Sequence, residues 1–280
     1  MNKTAGPPGS PGDSFIADEV GIETSIWGKY RLRSLYEPAF ERRGKLLHRV
    51  AVEGVVVPYL NGQPLADPDA LDACGLSAGR DVEQIRQLLH VRNHRNIGPP
   101  GLELFLDLWP WNWSSGAFGN IDDLIEQMHD SDLDRELVVC VLYSSDASEW
   151  IALIDKLRSN GFGIAIGDFG SGDWNEEQLD VIRPDIVRMD SRWFAQICGH
   201  EATARLFGAV VTRLRERRAR MLVKDIDTLG KFNVAYTAGV DLFQGPLLAG
   251  PALAGAEFDE APLGVAEKLG DTALFVPVSR

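Results

Sequence analysis

Cysteine is scarce: Cys74, Cys140 and Cys198 are the only three in 280 residues, far apart and never in a CxxC pair. An odd number at such spacing excludes a disulfide framework and a zinc knuckle. Cys140, inside the apolar run LVVCVL, reads as a small buried hydrophobe. Basic charge is short as well, with 28 Lys and Arg against 41 Asp and Glu and a formal charge of −13. Neutralising phosphates needs a basic face, so nucleic acid is a poor partner. The densest basic run, 213–220 (RLRERRAR), contains Glu216 and reads as the solvated end of a helix, where cations meet the negative end of the dipole. No uninterrupted apolar stretch approaches a membrane span. The opening MNKTAGPPGSPGDS lacks the apolar core of a secretion signal, so 1–14 reads as a flexible tail and the expected location is cytoplasmic.

What is present is ordinary globular material: 45% apolar residues, 25% charged and seven Trp, enough to fill a large core. Residues 32–40 (LRSLYEPAF) and 46–58 (LLHRVAVEGVVVP) are β-rich runs around a polar, Gly-containing turn, which predicts an antiparallel hairpin. Residues 81–93 place Val82, Ile85, Leu88 and Leu89 on one face, with Asp81 as a cap, and predict an amphipathic helix. Strands are then expected at 103–108, 137–142, 163–168, 185–190, 220–223 and 240–244. Helices are expected between them at about 120–130, 147–160, 175–182, 200–218 and 228–237. Such alternation means a parallel sheet covered by helices. The strand ends deliver Asp107, Ser144, Asp168, Asp190, Lys224 and Gln244, which converge only if the sheet closes. The expectation is therefore an α/β fold, a modified (β/α)8 TIM-like barrel with an antiparallel first strand, as one domain over 15–280.

With these motifs in this order, the chain resembles the EAL domains that hydrolyse the bacterial second messenger cyclic di-GMP. SLYEPAF (34–40) is similar to the family's YQPI-like strand, VEGVV (52–56) to the EAL signature and LFLDLWP (104–110) to the strand ending in Asn. VVCVLYS (138–144), GDFGSG (167–172), VRMD (187–190), VKDIDT (223–228) and FQG (243–245) follow the ELTE-like, DDFGTG, KID, AEGVE and QG segments. The resemblance implies two Mg²⁺ or Mn²⁺ ions, held by oxygen ligands, that activate a water. It also implies where the ligands should stand. Glu53 matches the signature Glu, Asp107 stands for Asn, and Asp168 matches the second acid of the DD pair. Val141 and Gly167 stand where carboxylates are expected. Arg188 replaces a Lys, Lys224 replaces a catalytic Glu, Asp227 shortens a second carboxylate and Gln244 is kept. At Val57 a phosphate-gripping Arg is absent, and Glu37 replaces Gln.

These replacements imply a degenerate site. No catalytic residue set is expected intact, no cofactor is expected, and Lys224 and Arg188 are expected to neutralise Glu53, Asp107 and Asp168 in place of the cations. The resulting reading is a non-catalytic regulator acting on an unidentified protein partner, with no membrane contact; the resemblance further implies a homodimer through loops near GDFGSG, against which Trp174 and the altered loop stand. The alternatives are a weak Mg- or Mn-dependent phosphodiesterase, using Glu53, Asp107 and Asp168 as ligands, and a non-catalytic cyclic di-GMP receptor.

Each position also has a plainer reading. Glu53 can serve only as an ion-pair partner, Asp168 and Gly170 can shape a turn, and Asp190 can cap a loop over 191–194. His90 and His94, four apart, are expected far from the mouth and are not read as a zinc pair. Trp109, Trp111 and Trp113 are read as a lid or a partner-binding patch, with stacking on guanine as the alternative.

Overall fold

The computed structural model describes residues 15–65, 80–98, 100–108, 125–126, 128–131, 133–143, 147–172, 174–256, 258 and 260–265. The tail at 1–14, Cys74, Trp109, Trp111, Trp113, Ser144 and most of the helix expected at 120–130 lie outside the described residues.

A long hairpin begins the barrel. Strands β3 (Tyr30–Arg43) and β4 (Leu46–Leu60) pair antiparallel over nearly their whole length, with a register shift between Ala39 and Phe40. The run at 32–40 is thus the middle of a longer strand, and the run at 46–58 is β4 short of its last two residues. A two-residue strand, β5 (Gln63–Pro64), turns back on β4, and parallel strands follow: β6 (Glu103–Leu108), β7 (Val138–Leu142), β8 (Gly163–Phe169), β9 (Ile186–Met189), β10 (Arg220–Val223) and β11 (Leu242–Gln244). β11 pairs antiparallel with β3, and β3 with β4, so the sheet closes into eight strands of which only β3 runs against its neighbours. This is the expected barrel with an antiparallel first strand.

Helices α1 (Arg80–Asn93), α2 (Ala147–Ser159), α3 (Glu176–Ile182), α4 (Ser191–Cys198), α5 (Glu201–Glu216) and α6 (Leu229–Ala238) connect or flank these strands. Residue 81 therefore lies inside α1 rather than ahead of it. Asp190 caps α4 by accepting from Trp193 N at 2.7 Å, so the loop expected over 191–194 is helical. Strands β1 (Phe15–Ala17) and β2 (Glu23–Trp27) extend the sheet beyond β3. Asn93, at the end of α1, pins β2 by accepting from Glu23 N and donating to Glu23 O, both at 2.8 Å.

Period-two alternation sorts the strand residues into two cores. Leu104, Leu106 and Leu108 of β6 face outward into the shell shared with the helices, with Leu153, Leu157 and Phe207. Phe105, from the same strand, faces inward with Ala39, Ala51, Val139, Val141, Ala165, Ile186, Leu222 and Leu242. One Phe, three alanines and five larger aliphatic side chains fill the narrow lumen, and the next inward positions up each strand form the mouth. The basic run 213–220 is spent on surface ion pairs: Arg213 and Arg217 meet Glu176 at 2.6 and 3.2 Å, Arg217 meets Asp180 at 2.8 Å, and Arg215 meets Asp241 at 2.6 Å.

Candidate functional site

One step above the lumen core, the inward side chains change from apolar to charged. Glu53 follows Ala51 on β4, Asp107 follows Phe105 on β6, Tyr143 follows Val141 at the end of β7, and Gly167 follows Ala165 on β8. Arg188 follows Ile186 on β9, Lys224 follows Leu222 just past β10, and Gln244 follows Leu242 on β11.

Glu53 is the hub, 5% exposed. Its Oε1 accepts from Arg188 Nη2 at 2.8 Å and Lys224 Nζ at 2.9 Å. Its Oε2 accepts from Gln244 Nε2 at 2.9 Å and lies 2.7 Å from Lys224 Nζ. Burial pushes this carboxyl upward, but Arg188 and then Lys224, helped by the Lys224 and Gln244 hydrogen bonds, outweigh it and bring it to about 2. Arg188, itself 4% exposed, donates from Nη1 to Asp107 Oδ1 at 2.9 Å, so one guanidinium bridges two carboxylates. Burial disfavours its charge, while Glu53, Tyr143 and Asp107 more than restore it.

Asp107 Oδ1 also accepts from Tyr143 OH at 3.1 Å, and the Arg188 guanidinium lies 5.6 Å from the Tyr143 ring centre. Burial drives the Tyr143 hydroxyl far above its ordinary range, which keeps it a donor. Tyr143 is the site residue missed from the sequence. A Cβ built on Gly167 would stand 2.2 Å from Tyr143 Cε1, so the ring occupies the room beside this glycine.

Asp168 departs from the expected arrangement. It sits exposed at the rim with φ +53, and among the described residues no cation forms an ion pair with it. Desolvation, with Asp190 and Asp107 nearby, raises its carboxyl although Arg188 and Lys224 pull it down. The ion pairs of the two cations therefore reach Glu53 and Asp107, while Asp168 feels Arg188 and Lys224 only through space. Glu37 faces Glu53 across the β3–β4 register. Its carboxyl is also raised, first by desolvation, against the pull of Lys224 and with the push of Glu53 and Asp225.

Val141 is fully buried in the lumen core. Val57 stands across the pair from Arg33, whose guanidinium lies 5.3 Å from the Tyr59 ring. Asp227 is exposed and paired with Lys231 at 2.9 Å. Beyond the turn, Trp174 Nε1 donates to Gly167 O at 2.7 Å, and the Trp193 ring covers Gly170, where a Cβ would lie 1.7 Å from Cε3.

His90 is not distant from the mouth. Its ring packs on Gly54, the neighbour of Glu53, where a Cβ would lie 2.3 Å away, and its Nδ1 shares a hydrogen bond with Ser34 Oγ. Burial and Arg86 lower it to about 3, so it is neutral. Among the described residues no group of three His, Cys, Asp or Glu is placed to hold a metal ion. Nor is any described helix long and apolar enough to cross a membrane.

A closed barrel with a charged mouth at the carboxyl ends of its strands defines the class: a TIM-like barrel built around a carboxylate-centred site. The chain belongs to the EAL domain family, whose model matches residues 81–251. Over 107 residues it is 26% identical to the probable cyclic di-GMP phosphodiesterase PdeA of Escherichia coli (strain K12), covering 38% of this chain and 15% of that one. Among solved structures it is similar to Klebsiella pneumoniae BlrP1 in a manganese and cyclic di-GMP complex, with TM-score 0.69 and 18% identity over 83% of this chain and 59% of the other. It is also similar to the Bacillus subtilis YkuI protein, with an EAL domain, in complex with substrate cyclic di-GMP and calcium. There the TM-score is 0.68 and the identity 14%, over 82% of this chain and 57% of that one. The chain thus spans under two thirds of these relatives' lengths.

Proposed function

We propose that this chain is a non-catalytic EAL-domain regulator of bacterial cyclic di-GMP signalling, with residues 15–280 as one barrel domain that works through protein contacts. The observation that carries the reading is the saturation of Glu53: both carboxylate oxygens are already held by Arg188, Lys224 and Gln244. A pair of hard divalent cations needs free oxygen ligands. Here a guanidinium and an ammonium stand against the central carboxylate, Val141 offers only methyl groups, and Gly167 offers no side chain. These residues do not fit two Mg²⁺ or Mn²⁺ ions.

Binding of the dinucleotide is disfavoured by the same arrangement. Glu53 and Asp225 act on Glu37, and Asp107 and Asp190 act on Asp168, while Arg188 and Lys224 are the cations that act on both. The mouth is therefore net negative, and a phosphodiester approaching it is repelled. What persists is a filled barrel, suited to presenting a surface to a partner.

The test is incubation of the full chain with cyclic di-GMP and millimolar Mn²⁺ or Mg²⁺, following the linear dinucleotide against a Glu53→Ala control. No conversion above the control is expected. Brisk metal-dependent conversion ends the reading.

A further inference from the structure

We propose that Tyr143 and Gly167 form one steric unit, in which the ring takes the space of a side chain at 167 and positions Arg188 between Glu53 and Asp107. Position 167 points into the mouth, two residues above Ala165 of the lumen core, on the strand beside the one that carries Tyr143. Gly167 has no positive φ, so its backbone would accept any L residue; the three atoms nearest to where a Cβ would stand all belong to the Tyr143 ring, at 2.2, 2.5 and 2.8 Å. The ring is held by two contacts and its neighbour Gly167 by a third. Its hydroxyl donates to Asp107 at 3.1 Å, the Arg188 guanidinium lies against its face at 5.6 Å, and the Gly167 carbonyl is fixed by Trp174 at 2.7 Å. The absent acid at 167 and the aromatic at 143 are therefore a single change: a carboxylate returned to 167 has no room until Tyr143 is removed. The steric half of this inference stands alone; its consequence for cations rests on the non-catalytic reading.

A double-mutant cycle in the full chain tests it. Gly167→Ala should lower Tm by about 5 °C, the scale of an overpacked core position in a domain of this size. In a Tyr143→Ser background the same alanine should cost under about 1 °C, while in Tyr143→Phe, which keeps the ring, the full penalty should remain. Tyr143→Thr serves as the releasing variant if Tyr143→Ser does not fold. Gly167→Asp should be folded only with a releasing variant. An equal penalty in every background overturns the steric unit. For the positioning role, Arg188 Nη resonances should be separate in the wild type and in Tyr143→Phe and merge in Tyr143→Ser; unchanged resonances overturn it. Calorimetric titration of the wild type with Mn²⁺ tests the non-catalytic reading separately, because metal binding there leaves the cycle's outcome untouched.

Discussion

Glu53 makes opposite predictions under the two chemistries available to its fold. In a cluster of metal ligands without metal, neighbouring carboxylates repel, and removing one is neutral or stabilising. Here Glu53 is the buried anion that Arg188, Lys224 and Gln244 share, so Glu53→Gln leaves buried positive charge undercompensated and should cost about 3–5 kcal/mol in urea unfolding at pH 7. The pH dependence has a definite sign. The folded carboxyl titrates near 2, below its unfolded value of about 4.3, so its contribution is complete above about pH 5 and is lost as pH falls toward 2. The wild type should lose more stability than Glu53→Gln across that window. Glu37 works the other way: its carboxyl is raised on folding, so its penalty is relieved as pH falls and offsets part of the loss. Most of this cluster was legible in the sequence, because Glu53, Asp107, Arg188, Lys224 and Gln244 each stand at a motif position. Tyr143 was not, because its role depends on the residue beside it on the next strand, 24 positions later, being glycine.

Elements were legible in proportion to their apolar content. β6 and β10 have the expected bounds, and β7 and β8 differ by one residue, because each is a short run of buried apolar side chains between polar ones. Helix α4 was not, since SRWFAQIC has eight residues and its three large apolar side chains, Trp193, Phe194 and Ile197, make too short a pattern to separate from a loop. β1 and β2 escaped for the same reason: FIA and ETSIW are ordered by tertiary contacts, with Arg92 meeting Glu23 at 3.1 Å and lying 4.4 Å from the Phe15 ring. The joint between α1 and the hairpin depends on one glycine. His90 packs where a Cβ on Gly54 would stand, and Tyr36 OH donates to His90 O at 2.6 Å, which ties the helix down at that level. Gly54→Ala should therefore push α1 off β4 at a cost of about 1–3 kcal/mol. Amide exchange should accelerate over α1 and leave α5, on the far part of the barrel, unchanged.

At the scale of the whole molecule, the non-catalytic reading makes the barrel's stability independent of divalent cations. The lumen is closed by Phe105 and its Ala, Val, Ile and Leu neighbours, the shell by Leu, Phe and Val from strands and helices, and the mouth by side chains of both signs. A ligand that binds the folded state raises stability by RT ln(1 + [L]/Kd), about 2.7 kcal/mol at a hundredfold excess over Kd. For a chain of 280 residues that amounts to a Tm rise of several degrees. With Arg188 and Lys224 already neutralising Glu53, a cation gains nothing it does not first have to displace. Millimolar Mn²⁺ should accordingly leave Tm within about 1 °C of its metal-free value, where ordinary surface screening by salt is the only effect left. Lys224→Glu removes the ammonium and returns a carboxylate to the mouth, so it should lower Tm without metal and recover part of the loss when Mn²⁺ is added. A rise of several degrees in the unaltered chain would mean that the cations displace Lys224 or Arg188 readily, and that the ion-pair cluster is not what holds the mouth closed.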